Sequence, residues 1–371
     1  MIDARFVLQG LGLLCVVAGG ASPAIAEPYL AVRTGLQCPA CHVNHTGGGK
    51  RTPFGADHGL EKLPGHRLPL PEGTQPFNGT VSRLFSVGAD FRGLNASRFA
   101  RTEVSNTFAT GEANLYADLE LLRDHLRLYA DVKVAPGGVS TREIVGLVEN
   151  LPGRLYVKAG RFFAPFGWRL LDDGAFIRAR TGYTFAAPDD GVEIGWQPGW
   201  FQGSLAVTNG NGGSADDNTN KRVSLISTWA HPRVRIGSSA AVNRQGDVGS
   251  ILGGLMGGVK VSERVVALGE VDFGRDDDKA AGTVRRQVIA FGEIDVLAGR
   301  GVNLKAAFDY NDPDRADSGD EVNRVTVGVE WFAVQYTQFR LLWRRTDRPP
   351  EVRGAVFEDD RELVIEGHLF F

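Results

Sequence analysis

Charged side chains recur at every second position along many stretches of this chain, and that alternation constrains its fold more than any other feature. From 111 to 121, Gly111, Ala113, Leu115, Ala117, Leu119 and Leu121 alternate with Glu112, Asn114, Tyr116, Asp118 and Glu120. From 126 to 134 an apolar series is interrupted in the same way by Arg127, Tyr129, Asp131 and Lys133. A period of two means extended strands with two unlike faces. A face charged along its length cannot be buried in the core of a soluble sandwich, but it can line a watery lumen while the apolar face meets lipid. Glycine supplies 48 of 371 residues, nearly twice the usual share of about 7 per cent. Few stretches are rich in Ala, Leu, Glu and Lys, so a soluble α/β enzyme fits poorly. The 43% hydrophobic content is too high for a disordered chain, and a formal net charge of -3 argues against a nucleic-acid partner, which needs a basic face.

Sixteen such segments can be counted, near 81–91, 108–122, 126–134, 142–149, 154–162, 191–197, 200–209, 222–230, 233–243, 250–260, 264–274, 285–296, 302–310, 323–331, 334–345 and 361–371. Short connections, such as 123–125, 197–199, 231–232 and 298–300, are interleaved with long ones at 92–107, 163–190, 210–221, 275–284, 311–322 and 346–360. An even strand count with short turns at one rim and long loops at the other predicts an all-β fold. The expected architecture is a transmembrane antiparallel β-barrel of about 16 strands, spanning residues 80–371 with both ends at the short-turn, periplasmic rim. The last segment alternates Leu363, Ile365, Gly367, Leu369 and Phe371 with Glu362, Val364, Glu366, His368 and Phe370. It ends on an aromatic residue, similar to the final strands that barrel-assembly machinery recognises.

The N-terminal region reads differently. Arg5, the apolar run 6–18 and Ala24-Ile25-Ala26 form a secretory signal peptide over 1–26, with Cys15 inside it. The mature chain keeps only Cys38 and Cys41, in Cys38-Pro39-Ala40-Cys41-His42. C-x-x-C-H is the spacing of covalent c-type haem attachment: two thiols bind one porphyrin and the adjacent imidazole reaches the iron. One haem c is therefore expected, with Cys38 and Cys41 as anchors and His42 as proximal ligand. A redox dithiol should open a helix in a βαβ unit, a zinc site needs further ligands, and a structural disulfide is the remaining alternative. For the sixth iron position, His58 and then His66 are the candidates; His45 is a weaker one, too close to His42 to reach the opposite face. Met256 lies some two hundred residues away, and a five-coordinate iron stays open. Gly47-Gly48-Gly49-Lys50 only faintly matches a phosphate loop, lacking a strand before it and a helix after it. The haem segment, 27–63, is too small and apolar-poor to cover a haem alone. Residues 64–79, with Pro64, Pro69, Pro71 and Pro76, read as an extended linker.

The stretch Arg33-Thr34-Gly35-Leu36-Gln37-Cys38-Pro39-Ala40-Cys41-His42, then Phe54-Gly55, then a barrel of this size, resembles the fused monohaem cytochrome-porin family, whose members include outer-membrane iron oxidases. The resemblance implies a Gram-negative outer-membrane protein, set in outer-membrane lipid, with one haem at or inside the periplasmic end of its pore. It implies electron transfer between an extracellular donor or acceptor, Fe(II) among them, and a periplasmic cytochrome or other carrier. Iron oxidation would be its enzymatic form. Gly47-Gly48-Gly49 departs from the aromatic and proline-containing stretch of the iron oxidases, which leaves the donor open. Two other readings stand beside it: a diffusive porin with a periplasmic haem appendage, and a peroxidase-like haem enzyme. Acidic loop groups at Asp189-Asp190, Asp216-Asp217, 276–278, 312–321 and 358–360 are either cation-gathering or simply solvated. The long loop 163–190 is expected to fold inward as a constriction or against the haem segment.

Overall fold

Sixteen antiparallel strands close into one barrel, β1 pairing with β16. The structure is a computed structural model and describes residues 27–100, 104–216, 218–347 and 360–371; the signal peptide expected at 1–26 lies outside them. The strands are β1 (Phe85–Phe99), β2 (Val104–Leu122), β3 (Leu126–Ala135), β4 (Ser140–Leu151), β5 (Leu155–Phe162), β6 (Asp189–Trp196), β7 (Phe201–Thr208) and β8 (Arg222–Ala230). They continue as β9 (Val234–Gln245), β10 (Val248–Lys260), β11 (Val265–Asp278), β12 (Thr283–Gly299), β13 (Val302–Asp312), β14 (Val322–Trp331), β15 (Thr337–Asp347) and β16 (Asp360–Phe370). Each pairs with its neighbours in sequence. At the seam Ala89 and Phe371 exchange backbone hydrogen bonds of 3.3 and 3.1 Å, so no sheet edge is left open there.

The two faces separate as the alternation predicts. On β10, Ile251, Leu255 and Val259 are exposed while Met256 is buried; on β15, Phe339, Leu341 and Trp343 point out while Gln338 and Arg340 point in. Trp196, Trp200, Trp229 and Trp331 stand exposed at the short-turn rim, the position of an interfacial aromatic girdle. An apolar surface that encircles the molecule far exceeds the few hundred Å² a soluble monomer exposes. No helix among the described residues is long and apolar enough to cross a membrane, whereas a closed barrel satisfies every backbone group while it spans. Replacing Leu255 by Arg, mid-way along β10, is expected to lower barrel stability by about 2–4 kcal/mol, measured as a shift in the urea midpoint for loss of heat-modifiable mobility in lipid.

Strand ends depart from expectation. Most of the loop expected at 92–107 is strand, because β1 runs to Phe99 and β2 starts at Val104; that at 275–284 shrinks to 279–282. Polar pairs hold these extensions together, among them Asn95–Asn106 at 3.0 Å and Arg98–Glu362 at 3.1 Å. The loops after β5, β7 and β13 do remain long; most of the last long loop, 348–359, is outside the described residues.

Three short helices precede the barrel: α1 (Pro28–Thr34), α2 (Cys38–Cys41) and α3 (Pro53–Lys62). Their start and stop signals are in the sequence. Pro28 opens α1, and Gly35 closes it in the left-handed conformation with φ 72°. Thr52 caps α3 by accepting from the Gly55 N–H at 3.1 Å. The proline-rich stretch after α3 runs along the short-turn rim: Gly65 N–H donates to Phe332 O at 2.7 Å, and Tyr336 Oη donates to Phe77 O at 3.0 Å.

Candidate functional site

Residues 27–51 lie inside the barrel and follow its wall. Glu27 pairs with Arg340 of β15 at 2.8 Å, Tyr29 Oη donates to Glu330 of β14 at 2.8 Å, and Arg33 donates to Asn303 of β13 at 2.9 Å. Val32 of α1 packs against Gly258 of β10, where a Cβ would come within 2.6 Å of it. Beyond α1 the Arg235 guanidinium of β9 donates to Leu36 O, and Gln37 donates to Gly199 O at 3.0 Å. Asn44 then donates to Glu143 of β4 at 2.8 Å, Lys50 N–H to Tyr129 of β3 at 3.2 Å, and Arg51 faces Asp90 of β1 at 3.9 Å. The polar inner faces of β1, β3, β4, β9, β13, β14 and β15 are thus the docking surface of the plug, where the charges named are buried against partners.

The ring so formed surrounds an apolar cavity lined by Cys38, Cys41 and His42 together with Leu30, Ile226, Met256, Phe166, Trp168 and His58. Its lining is mostly apolar, as that of cofactor pockets is. Pro39 within α2 and the cap on α3 fix the motif: Thr52 Oγ1 donates to Ala40 O at 2.9 Å, and Gly55 meets the Cys41 carbonyl so closely that a Cβ would lie 2.2 Å from it. The two thiols are free. Burial pushes the Cys41 thiol up to about 11, with Cys38 adding to it. Burial, with help from Arg51, pushes the His42 imidazole down to about 4, so the ring is neutral and in its metal-ligating form. Two thiols, a neutral imidazole and apolar walls fit a covalently held haem.

Gly47, Gly48 and Gly49 have φ of 87°, 80° and 64°, a left-handed run open to glycine alone. A Cβ on Gly49 would lie 2.0 Å from Tyr129 Oη, and one on Gly47 3.4 Å from Cys38 Sγ. The triple glycine is therefore a close-packed turn beside the thiol, and the buried Lys50 ammonium donates to Arg51 O at 2.9 Å instead of facing a phosphate.

The other histidines divide. His58 lines the cavity. His66 is exposed at the rim, its N–H donating to Ala333 O at 3.1 Å, and it does not line the cavity. His45 has both ring nitrogens engaged, by Gln197 and Glu149 at 2.9 Å each, and stacks on Tyr156. Met256, which its distance in sequence had set aside, is brought to the cavity by β10. Among the described residues no three His, Cys, Asp or Glu side chains converge as a metal site; Asp217, Glu358 and Asp359 lie outside them. In the loops, Asp216 pairs with Lys221 at 2.6 Å and Asp276 accepts from Ser250 at 2.7 Å.

The loop after β5, carrying α4 (Phe176–Ala179), crosses the lumen above the plug. Trp168 N–H donates to Glu270 of β11 at 2.6 Å, Phe176 N–H to Asp309 of β13 at 2.8 Å, and Arg169 to Gly47 O at 2.8 Å. It is both constriction and plug contact. Beyond it a polar cavity, lined by Arg98, Arg324, Arg344, Asp172 and Glu362 among others, extends to Glu27. Glu27 also lines the apolar cavity.

The barrel is similar to those of known porins. OmpT of Vibrio cholerae, in its trimer form, superposes with a TM-score of 0.62 at 12% identity over 78% of this chain and 100% of its own. An anion-selective porin from Comamonas acidovorans gives 0.61 at 11% over 77% and 99%. The outer membrane channel DcaP of Acinetobacter baumannii gives 0.55 at 10% over 79% and 99%. No family model and no curated protein matches. These likenesses establish the porin-like fold.

Proposed function

We propose that this chain is an outer-membrane cytochrome-porin fusion that carries electrons through a plugged barrel, between an extracellular donor or acceptor and a periplasmic carrier. The observation that carries this reading is that Cys38, Cys41 and His42 line a single apolar cavity inside the lumen. A haem held there supplies a one-electron centre. Cys38 and Cys41 would anchor it, His42 would reach its iron, and Leu30, Ile226, Phe166 and Trp168 would exclude water from its faces. The apolar outer face and the likeness to porins support a lipid environment in a Gram-negative outer membrane.

The plug supplies what a diffusive porin lacks. Ion pairs and hydrogen bonds to β15, β14, β13, β4, β3 and β1 fill the lumen from one side. An apolar band about 25 Å tall is more than one haem can bridge, yet the polar cavity leads from the long-loop side to Glu27, at the wall of the apolar one. On the other side the short helices α2 and α3 form part of its wall. Both aqueous phases thus approach the same cavity. The test is a proteoliposome containing the full chain and an entrapped soluble cytochrome c, treated with a membrane-impermeant reductant. Reduction of the entrapped cytochrome is expected; its absence while control vesicles remain sealed overturns the reading.

A further inference from the structure

We propose that Met256 is the second axial ligand of the haem iron, so that the barrel wall itself completes the coordination begun by His42. This rests on the haem reading above and deepens it. Besides His42 and the two anchoring thiols, the side chains on the cavity wall able to ligate iron are His58, Glu27 and Met256. Iron needs its second ligand from the face opposite the first.

His58 belongs to the body that holds the motif. It sits on α3, which is clamped to α2 by the Thr52 bond to Ala40 O and by the close approach of Gly55 to the Cys41 carbonyl. Glu27 is held in its ion pair with Arg340. Met256 comes from elsewhere. The hairpin that starts at His42 is packed toward the β1–β5 wall: Val43 clusters with Tyr129, Val145 and Phe162, and Arg51 faces Asp90. In the closed strand order β10 lies on the far side of the lumen from β2 and β3. The cavity is the space between those two walls.

Met256 sits among small residues on this wall. Its partner in register on β9 is Gly237, where a Cβ would come within 2.8 Å of the Met256 methyl group. Along β10 its inward neighbours are Gly254 and Gly258. The Met256 methyl lies over Gly237 and the residue lines the cavity, and Met is the flexible, polarisable side chain able to swing its sulfur toward an iron there. A Met/His iron also has a raised potential, which favours taking electrons from a weak donor.

The experiment uses the full chain purified in detergent. Denaturing-gel haem staining comes first: an unstained wild type sinks the haem reading, and this proposal with it. In stained protein, the ferric form is expected to be low-spin with a sulfur-to-iron charge-transfer band in the near infrared. Met256→Leu, close in volume, should keep the stain and the heat-modifiable mobility while losing the band and turning high-spin. Met256→His should return a low-spin spectrum without the band, rescuing ligation with nitrogen in place of sulfur. A stained wild type with no such band, or a low-spin Met256→Leu alongside a high-spin His58→Leu, overturns Met256 as ligand and leaves the haem reading standing.

Discussion

Deleting residues 27–79 while keeping 1–26 is expected to turn a nearly silent barrel into an open pore. In planar bilayers the full chain should hold close to baseline, and the deletion should give discrete conductance steps. A 16-stranded barrel is wide enough for an aqueous channel, and what fills it here is chain lying between Glu27 and Arg51. The barrel itself should survive. Losing the plug leaves Arg340, Glu330 and Asp90 without Glu27, Tyr29 and Arg51, but water floods the lumen at the same moment, so those groups are hydrated and not left as buried unpaired charges. The steps should fall short of an empty cylinder, because the loop bearing α4 stays tied to Glu270 and Asp309. A full chain that conducts as freely as the deletion would show that the plug does not seal the lumen.

The strands were legible wherever lipid enforces the pattern. Leu115, Ile251 and Ile365 must be apolar because they face out at membrane depth, and period two follows. Above that depth the constraint lapses. Asn95, Asn106 and Arg98 lie on strands whose outer face no longer needs to be apolar, so β1 and β2 continue through a stretch that reads as loop. Backbone pairing persists there without any side-chain signature. Asp276 and Asp277 likewise read as loop acids but sit in register with Ser250 and Gly249 on β10.

The plug was legible by its chemistry and not by its partners. The Cys38–His42 spacing announces itself locally, whereas its cover comes from Ile226, Trp168 and Met256, which only barrel closure brings together. A signal was present nonetheless. Met256 stands between Gly254 and Gly258 on the inward face of a strand, and small residues there mark a wall that something approaches closely. His66 shows the converse: nearness in sequence to the motif counted for little once the chain turned along the rim.

The thiols should decide the colour of the protein outright. Cys38→Ser together with Cys41→Ser is expected to abolish the haem stain and the visible spectrum of the purified barrel, with heat-modifiable mobility kept, since neither thiol touches the strand ladder. The consequence reaches the plug as well. The apolar cavity is walled on one side by α2 and α3, short helices that rely on what they pack against, as small elements do. Without a group to fill that space their apolar side faces water or collapses, and loss of buried apolar area weakens the plug. Limited proteolysis from the short-turn rim should therefore cut between 35 and 66 faster in the double variant than in the wild type, while the strands resist in both. A double variant that keeps a haem spectrum after acid–acetone extraction would mean that the cofactor is held by something other than these two sulfurs.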